Sequence, residues 1–194
     1  MLSLFFSACN KAPESVPISD TQKQHAAAKA SCVIVLESPL AKAASRGNIA
    51  EVKELLDKGA SLNVCDALGR TPLHMATFYG HPRTAALLIA RGADVNAKDW
   101  IGMAPLHAAV LVGSVQEVDL LLANKAEINA VENTGVTPLH LAAATEQPQV
   151  AKILIQRGAN PLSKDLSGAT PLFYAVRNQN PAMTSLLQQY EVKE

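Results

Sequence analysis

Glu132-Asn133-Thr134-Gly135-Val136-Thr137-Pro138-Leu139-His140 is one of four versions of a single phrase in this chain. Read at an offset of 33 residues toward the N-terminus, it becomes Asp99-Trp100-Ile101-Gly102-Met103-Ala104-Pro105-Leu106-His107. A second step gives Asp66-Ala67-Leu68-Gly69-Arg70-Thr71-Pro72-Leu73-His74. One step toward the C-terminus gives Asp165-Leu166-Ser167-Gly168-Ala169-Thr170-Pro171-Leu172-Phe173, and Ser38-Pro39-Leu40-Ala41 is a weaker, earlier copy. No insertion or deletion breaks the register from Ser38 to Leu187.

Each marker has a physical reason to stand where it does. Thr71, Thr137 and Thr170 can cap a helix, and the proline behind each occupies the first helical position, where a missing N–H costs nothing. Leu73, Leu106, Leu139 and Leu172 then point inward. Ala76, Ala109 and Ala142 let helices approach closely. Gly80 and Gly113 stand where the first helix should stop. A second helix carries the aliphatic pairs Leu55-Leu56, Leu87-Leu88, Leu120-Leu121, Ile153-Leu154 and Leu186-Leu187. It closes at Gly59-Ala60, Gly92-Ala93 and Gly158-Ala159, where glycine accepts a left-handed backbone. Eleven prolines would wreck a helical chain if scattered; five of them, Pro39, Pro72, Pro105, Pro138 and Pro171, recur at the start of the first helix of a repeat.

With Thr-Pro-Leu-His at 71–74 and 137–140 and Gly92-Ala93-Asp94-Val95-Asn96-Ala97, the chain resembles the ankyrin repeat family over about residues 33–190. The resemblance implies an all-α repeat solenoid: stacked repeats, each a turn plus two antiparallel helices. Repeats are expected at 33–65, 66–98, 99–131, 132–164 and 165–190. Two departures carry consequences. Ala104 removes a capping hydroxyl from the third repeat, and Lys125 fills the slot of Gly59, Gly92 and Gly158. A lysine kept in left-handed geometry carries roughly 1–2 kcal/mol of strain.

Composition narrows the function classes. Lys plus Arg and Asp plus Glu are both 17, so no domain-wide basic surface favours nucleic acid. No apolar run reaches the roughly 20 residues that span a bilayer. His74, His107 and His140 invite a metal reading, but equivalent residues in adjacent repeats sit about 8–10 Å apart. Zinc needs nitrogens near 2.0–2.1 Å. Each histidine is expected instead to bond its nearby threonine or turn backbone. Asp66, Asp99, Glu132 and Asp165 are likewise a repeat apart and form no catalytic pair. Asp94-Val95-Asn96-Ala97-Lys98-Asp99 lacks the glycine and closing glutamate of a calcium loop. No nucleophile elbow or phosphate loop is present. The reading is of a non-enzyme without cofactor or metal.

At the N-terminus, Met1-Leu-Ser-Leu-Phe-Phe-Ser-Ala-Cys9 is followed by Asn10-Lys11-Ala12-Pro13. Residues 1–9 resemble the end of a bacterial lipoprotein signal peptide, which implies Cys9 as the lipidated residue, residues 10–19 as a polar tether and a location in the periplasm or outer membrane. The basic segment and full apolar stretch of such signals are missing. Either the true start lies further upstream, or the likeness is accidental and the protein cytoplasmic. Residues 20–32 are compatible with a short helix capped by Asp20. Cys32 and Cys65 fall one period apart, which regular stacking would separate beyond the roughly 4.4–6.8 Å that a disulfide tolerates. A disulfide is not favoured, though an irregular path before Ser38 leaves it open.

In the family resembled, turn tips and the exposed side of the first helix line a concave face that binds proteins. Mapped here, that face includes Leu68, Arg70, Phe78, Tyr79, Trp100, Ile101, Met103, Leu111 and Val112. Such a contiguous apolar group marks an interface more often than an idle surface, and Trp, Tyr and Met are interface-rich types. The bland alternative is local packing, with the tryptophan folded onto its own turn. Two functions remain open: a protein-binding module, monomeric and tethered to a bacterial envelope through Cys9, or a dedicated accessory, inhibitor or immunity-type partner of one envelope enzyme or effector. A fragment whose catalytic part lies elsewhere is a weaker third.

Overall fold

A computed structural model describes residues 32–35 and 38–191. Among these residues ten helices run in five antiparallel pairs: α1 (Pro39–Ser45) with α2 (Ile49–Asp57), α3 (Pro72–Phe78) with α4 (Pro82–Ala90), α5 (Pro105–Val112) with α6 (Val115–Ala123), α7 (Pro138–Ala144) with α8 (Pro148–Gln156), and α9 (Pro171–Arg177) with α10 (Pro181–Glu191). First helices pack on first helices and second on second, so the stack has an inner and an outer row. This is the all-α repeat solenoid that the period implies.

The core follows the period. Leu40, Leu73, Leu106 and Leu139 are buried at one position of the inner row, and Leu88, Leu121, Leu154 and Leu187 at one position of the outer row. Ala43, Ala76, Ala109, Ala142 and Ala175 are all fully buried where the two rows meet. A larger side chain at that position would force helices apart and cost about 1–3 kcal/mol.

Helix starts differ in how they are capped. The Ser38 hydroxyl accepts from Ala41 N–H at 3.2 Å. Thr71 and Thr137 accept from His74 and His140 N–H at 3.5 and 3.4 Å. Ala104 makes no side-chain cap, as its composition requires. Thr170, expected to cap α9, does not. The difference lies in its partner: His74 and His140 Nδ1 hold the Thr71 and Thr137 hydroxyls at 2.9 and 2.8 Å, whereas Phe173 has no ring nitrogen to do so.

Lys125 has φ +68°, the left-handed geometry its register predicts, and so do Glu146 and Gln179 in the slot of Gly47, Gly80 and Gly113. Replacing exposed Lys125 by glycine is expected to raise the denaturant midpoint by the equivalent of up to about 1 kcal/mol. That is the relieved strain less the entropy glycine adds to the unfolded chain. A lower midpoint would show that the lysine stem contributes more through packing than its backbone costs.

The N-terminal cysteines overturn an expectation. Cys32 and Cys65 form a disulfide, with Cα atoms 5.8 Å apart. Strand β1 (Val33–Ile34) pairs in parallel with β2 (Val64–Cys65), Val33 opposite Val64 and Ile34 opposite Cys65. Val33 N–H donates to Asn63 at 2.9 Å and Val35 N–H to Cys65 at 2.8 Å. Helix spacing therefore does not govern this segment. Paired strands lie roughly 4.7–4.9 Å apart, and the pairing is offset from the strict period, which brings the two sulfurs together. The expected helix at 20–32 lies almost wholly outside the described residues, and Cys9 and the tether lie entirely outside them.

Candidate functional site

Each turn tip is organised by its first residue. Asp66 Oδ1 accepts from the N–H groups of Leu68 and Arg70, both at 2.9 Å. Asp99 Oδ1 does the same for Ile101 and Met103 at 3.0 and 2.9 Å. Glu132 Oε1 takes Thr134 and Val136 N–H at 2.9 and 3.1 Å, and is also close to the Thr134 hydroxyl. Asp165 Oδ1 takes Ser167 and Ala169 N–H at 2.8 and 3.0 Å. Hydrogen bonds from the Ser167 and Tyr174 hydroxyls hold the Asp165 pKa down to about 2. These acids were legible in the sequence only as too far apart for catalysis; their role is to fold the tips.

The tips are joined in series. Trp100 N–H donates to the Leu68 carbonyl at 3.0 Å, Asn133 N–H to Ile101 at 3.0 Å, and Leu166 N–H to Thr134 at 2.9 Å. Side chains at alternate tip positions therefore face one surface, beside the exposed side of the inner helices. There Leu68, Phe78, Tyr79, Ile101 and Val112 are exposed, Leu68 at 57% and Tyr79 at 52%. Phe78 and Tyr79 meet edge to face, with ring centroids 5.4 Å apart.

The other mapped residues are partly buried. Trp100 lies against the next tip: its indole N–H donates to the Ala67 carbonyl at 2.9 Å, and a Cβ added at Gly69 would come within 2.5 Å of the indole ring. The tryptophan is therefore not folded onto its own turn; it ties two repeats together. Gly69 is required there for both its φ of +81° and that close approach. Arg70 is held by Asp66 through an ion pair of 2.7 Å. Met103 offers its carbonyl to His74, and Leu111 is half-covered.

The histidine row acts within the stack. Thr71 N–H donates to His74 Nδ1 at 3.2 Å, while Nε2–H donates to the Met103 carbonyl of the following repeat at 3.0 Å. His140 repeats the pattern with Thr137 and Ala169 at 3.2 and 3.1 Å. His107 accepts from Ala104 N–H at 3.1 Å, but its Nε2 completes no hydrogen bond. The equivalent Val136 carbonyl is near enough only to favour the protonated ring slightly. Burial outweighs every such contact and pushes His74 and His107 down to about 4, and His140 down in the same direction. All three rings are neutral at pH 7, and those of His74 and His140 join their repeats to the next. No group of His, Cys, Asp and Glu among the described residues could hold a metal ion.

With that arrangement in place, comparison with known families is decisive. A model described as ankyrin repeats (3 copies) matches residues 5–99 and 101–165. The chain belongs to the ankyrin repeat family. Ankyrin repeats are generic protein-binding modules. No curated protein matches the chain. The fifth helix pair lies beyond the matched residues, yet α9 packs on α7 and α10 on α8 as in the earlier ankyrin repeats. Its Phe173 and Val176 are exposed at 53% and 55%, whereas His140 and Ala143, their equivalents one repeat earlier, are buried.

Proposed function

We propose that this ankyrin repeat chain is a non-enzymatic protein-binding module whose inner face takes the partner, and that it works as a monomer tethered to a bacterial envelope through Cys9. The observation that carries the binding reading is the group Leu68, Phe78, Tyr79, Ile101 and Val112. These side chains are all exposed, whereas Ala76, Thr77, Ala109 and Val110 on the same inner helices are fully buried. A contiguous apolar group of that kind, with an aromatic pair at its centre, fits an interface core. The Cys32–Cys65 disulfide supports the location, because disulfides persist in oxidising compartments such as the periplasm and are rare in the cytosol.

The binding reading is tested with tagged full-length protein in its native host. Tyr79→Ala should lower capture of the co-purifying partner by more than about thirtyfold in affinity, the loss of a roughly 2 kcal/mol anchor, with the unfolding midpoint unchanged. Trp100→Ala should weaken capture and also lower the midpoint, because its indole joins two repeats. Full capture by Tyr79→Ala and Val112→Asp alike would move the binding site off this face. For the tether, the protein expressed from its native gene should label with palmitate and enter the detergent phase, and Cys9→Ala should do neither. Unlabelled, soluble wild-type protein would end that part of the reading.

A further inference from the structure

Charge is distributed unevenly over the two sides of this stack although the formal net charge is zero. Three rows of inner-helix positions face the binding surface. They read Lys42, Met75, Ala108, Leu141, Tyr174; then Ser45, Phe78, Leu111, Ala144, Arg177; then Arg46, Tyr79, Val112, Thr145, Asn178. None contains an acid, and cations stand only at the two ends. The tip rows add Arg70 and, among the described residues, no acid; by register Glu37, outside the described residues, takes the Arg70 position of the first repeat. The carboxylates at the base of the tips are engaged with their own turns, through the hydrogen bonds of Asp66, Asp99, Glu132 and Asp165. Glu146 is exposed in the bend after α7, outside these rows. The balancing acids lie on the outer row, where Glu54, Asp57 and Asp119 pair with Lys58, Arg91 and Arg157.

The end cations are not equally committed. Arg70 pairs with Asp66, and Arg46 with Glu51 at 2.8 Å. Lys42 is exposed, and Arg177 rests over the Tyr174 ring, 5.1 Å from its centroid; neither forms an ion pair with a described residue. The surface is thus an apolar centre over the second and third repeats, with Lys42 beyond one end and Arg177 beyond the other. Complementary potential steers encounter and fixes register, and a like charge placed opposite is rejected.

Resting on the binding reading above, we propose that the partner presents an apolar segment flanked by carboxylates, its apolar residues seated on Phe78, Tyr79, Ile101 and Val112 and its acids directed to Lys42 and Arg177. A basic segment is disfavoured by the same arrangement, since no described residue of these rows offers it a carboxylate.

Random peptides displayed on phage and selected against the full chain test this directly. Enriched sequences are expected to carry a central aromatic or aliphatic group with Asp or Glu on one or both sides. Synthetic copies of them should bind Lys42→Glu/Arg177→Glu at least about tenfold more weakly than wild type, with a shallower salt dependence. Both substituted residues are exposed, so an unchanged unfolding midpoint serves as the control. Enrichment of neutral or basic peptides, or acidic peptides indifferent to the double reversal, overturns the charge inference while leaving the face as a binding site. Peptides that bind Val112→Asp as well as wild type would instead sink the reading of the face itself.

Discussion

Lowering the pH from 7 to 4 should destabilise this protein steeply. His74 and His107 are buried and held near a pKa of about 4, against about 6.5 in an unfolded chain. Between those values the unfolded state binds protons that the native rings refuse. Each ring's contribution is therefore fully present above about pH 6.5 and is lost as the pH falls through that window. Two and a half pH units correspond to on the order of 3 kcal/mol for each ring, and His140, lowered in the same direction, adds to the slope.

Glu117 opposes this trend. Its carboxylate is fully buried on α6 and completes no hydrogen bond, although Ser114 and the His81 backbone are near. Burial raises its pKa to about 7. The native state then holds a proton that the unfolded state has released, so this contribution weakens as the pH rises through 4.5 to 7. Urea titrations from pH 8 to 4 should show stability rising with pH to a level reached at about pH 7 or just above. Glu117→Gln should stabilise the protein at pH 8 by up to about 3 kcal/mol and steepen its loss in acid. A stability that is flat from pH 7 to 4.5 in the wild type and in Glu117→Gln would mean that the rings are not held neutral as described.

Reduction of the Cys32–Cys65 disulfide should cost about 3–4 kcal/mol, the chain-entropy value for closing a loop with a sequence separation of 33 residues. Cys32→Ser is the better variant, because Cys65 is fully buried and Cys32 is not. Stability in a solenoid is approximately a sum of local terms, so the loss should concentrate at one end. Hydrogen exchange should accelerate at Val33, Val35 and through α1 and α2, and leave α7 to α10 close to their oxidised rates. Exchange at Val33 and Val35 indifferent to reductant would show that strand pairing holds β1 without the covalent link.

The ankyrin architecture was legible in the sequence because each marker reports a local constraint. Proline at a helix start, alanine at a helix crossing and glycine in a left-handed bend are each imposed by backbone geometry, and the same geometry recurs in every repeat. Lys125 could be placed in a left-handed bend for that reason, by register alone. The same register puts Glu146 and Gln179, in the slot of Gly80 and Gly113, in left-handed bends. The candidate face could be mapped by register too, but register says only which way a position points. Whether a side chain is free depends on what the neighbouring repeat brings to it. Trp100 is held by the Ala67 carbonyl and the bare backbone of Gly69; Tyr79, with no such partner across the stack, stays exposed. The tip acids showed the same limit, since their one-repeat spacing concealed that each closes its own turn. Cys32 and Cys65 mark it most sharply: helix spacing would have kept them apart, and a parallel strand pair, which obeys a shorter hydrogen-bonding distance, brings them together.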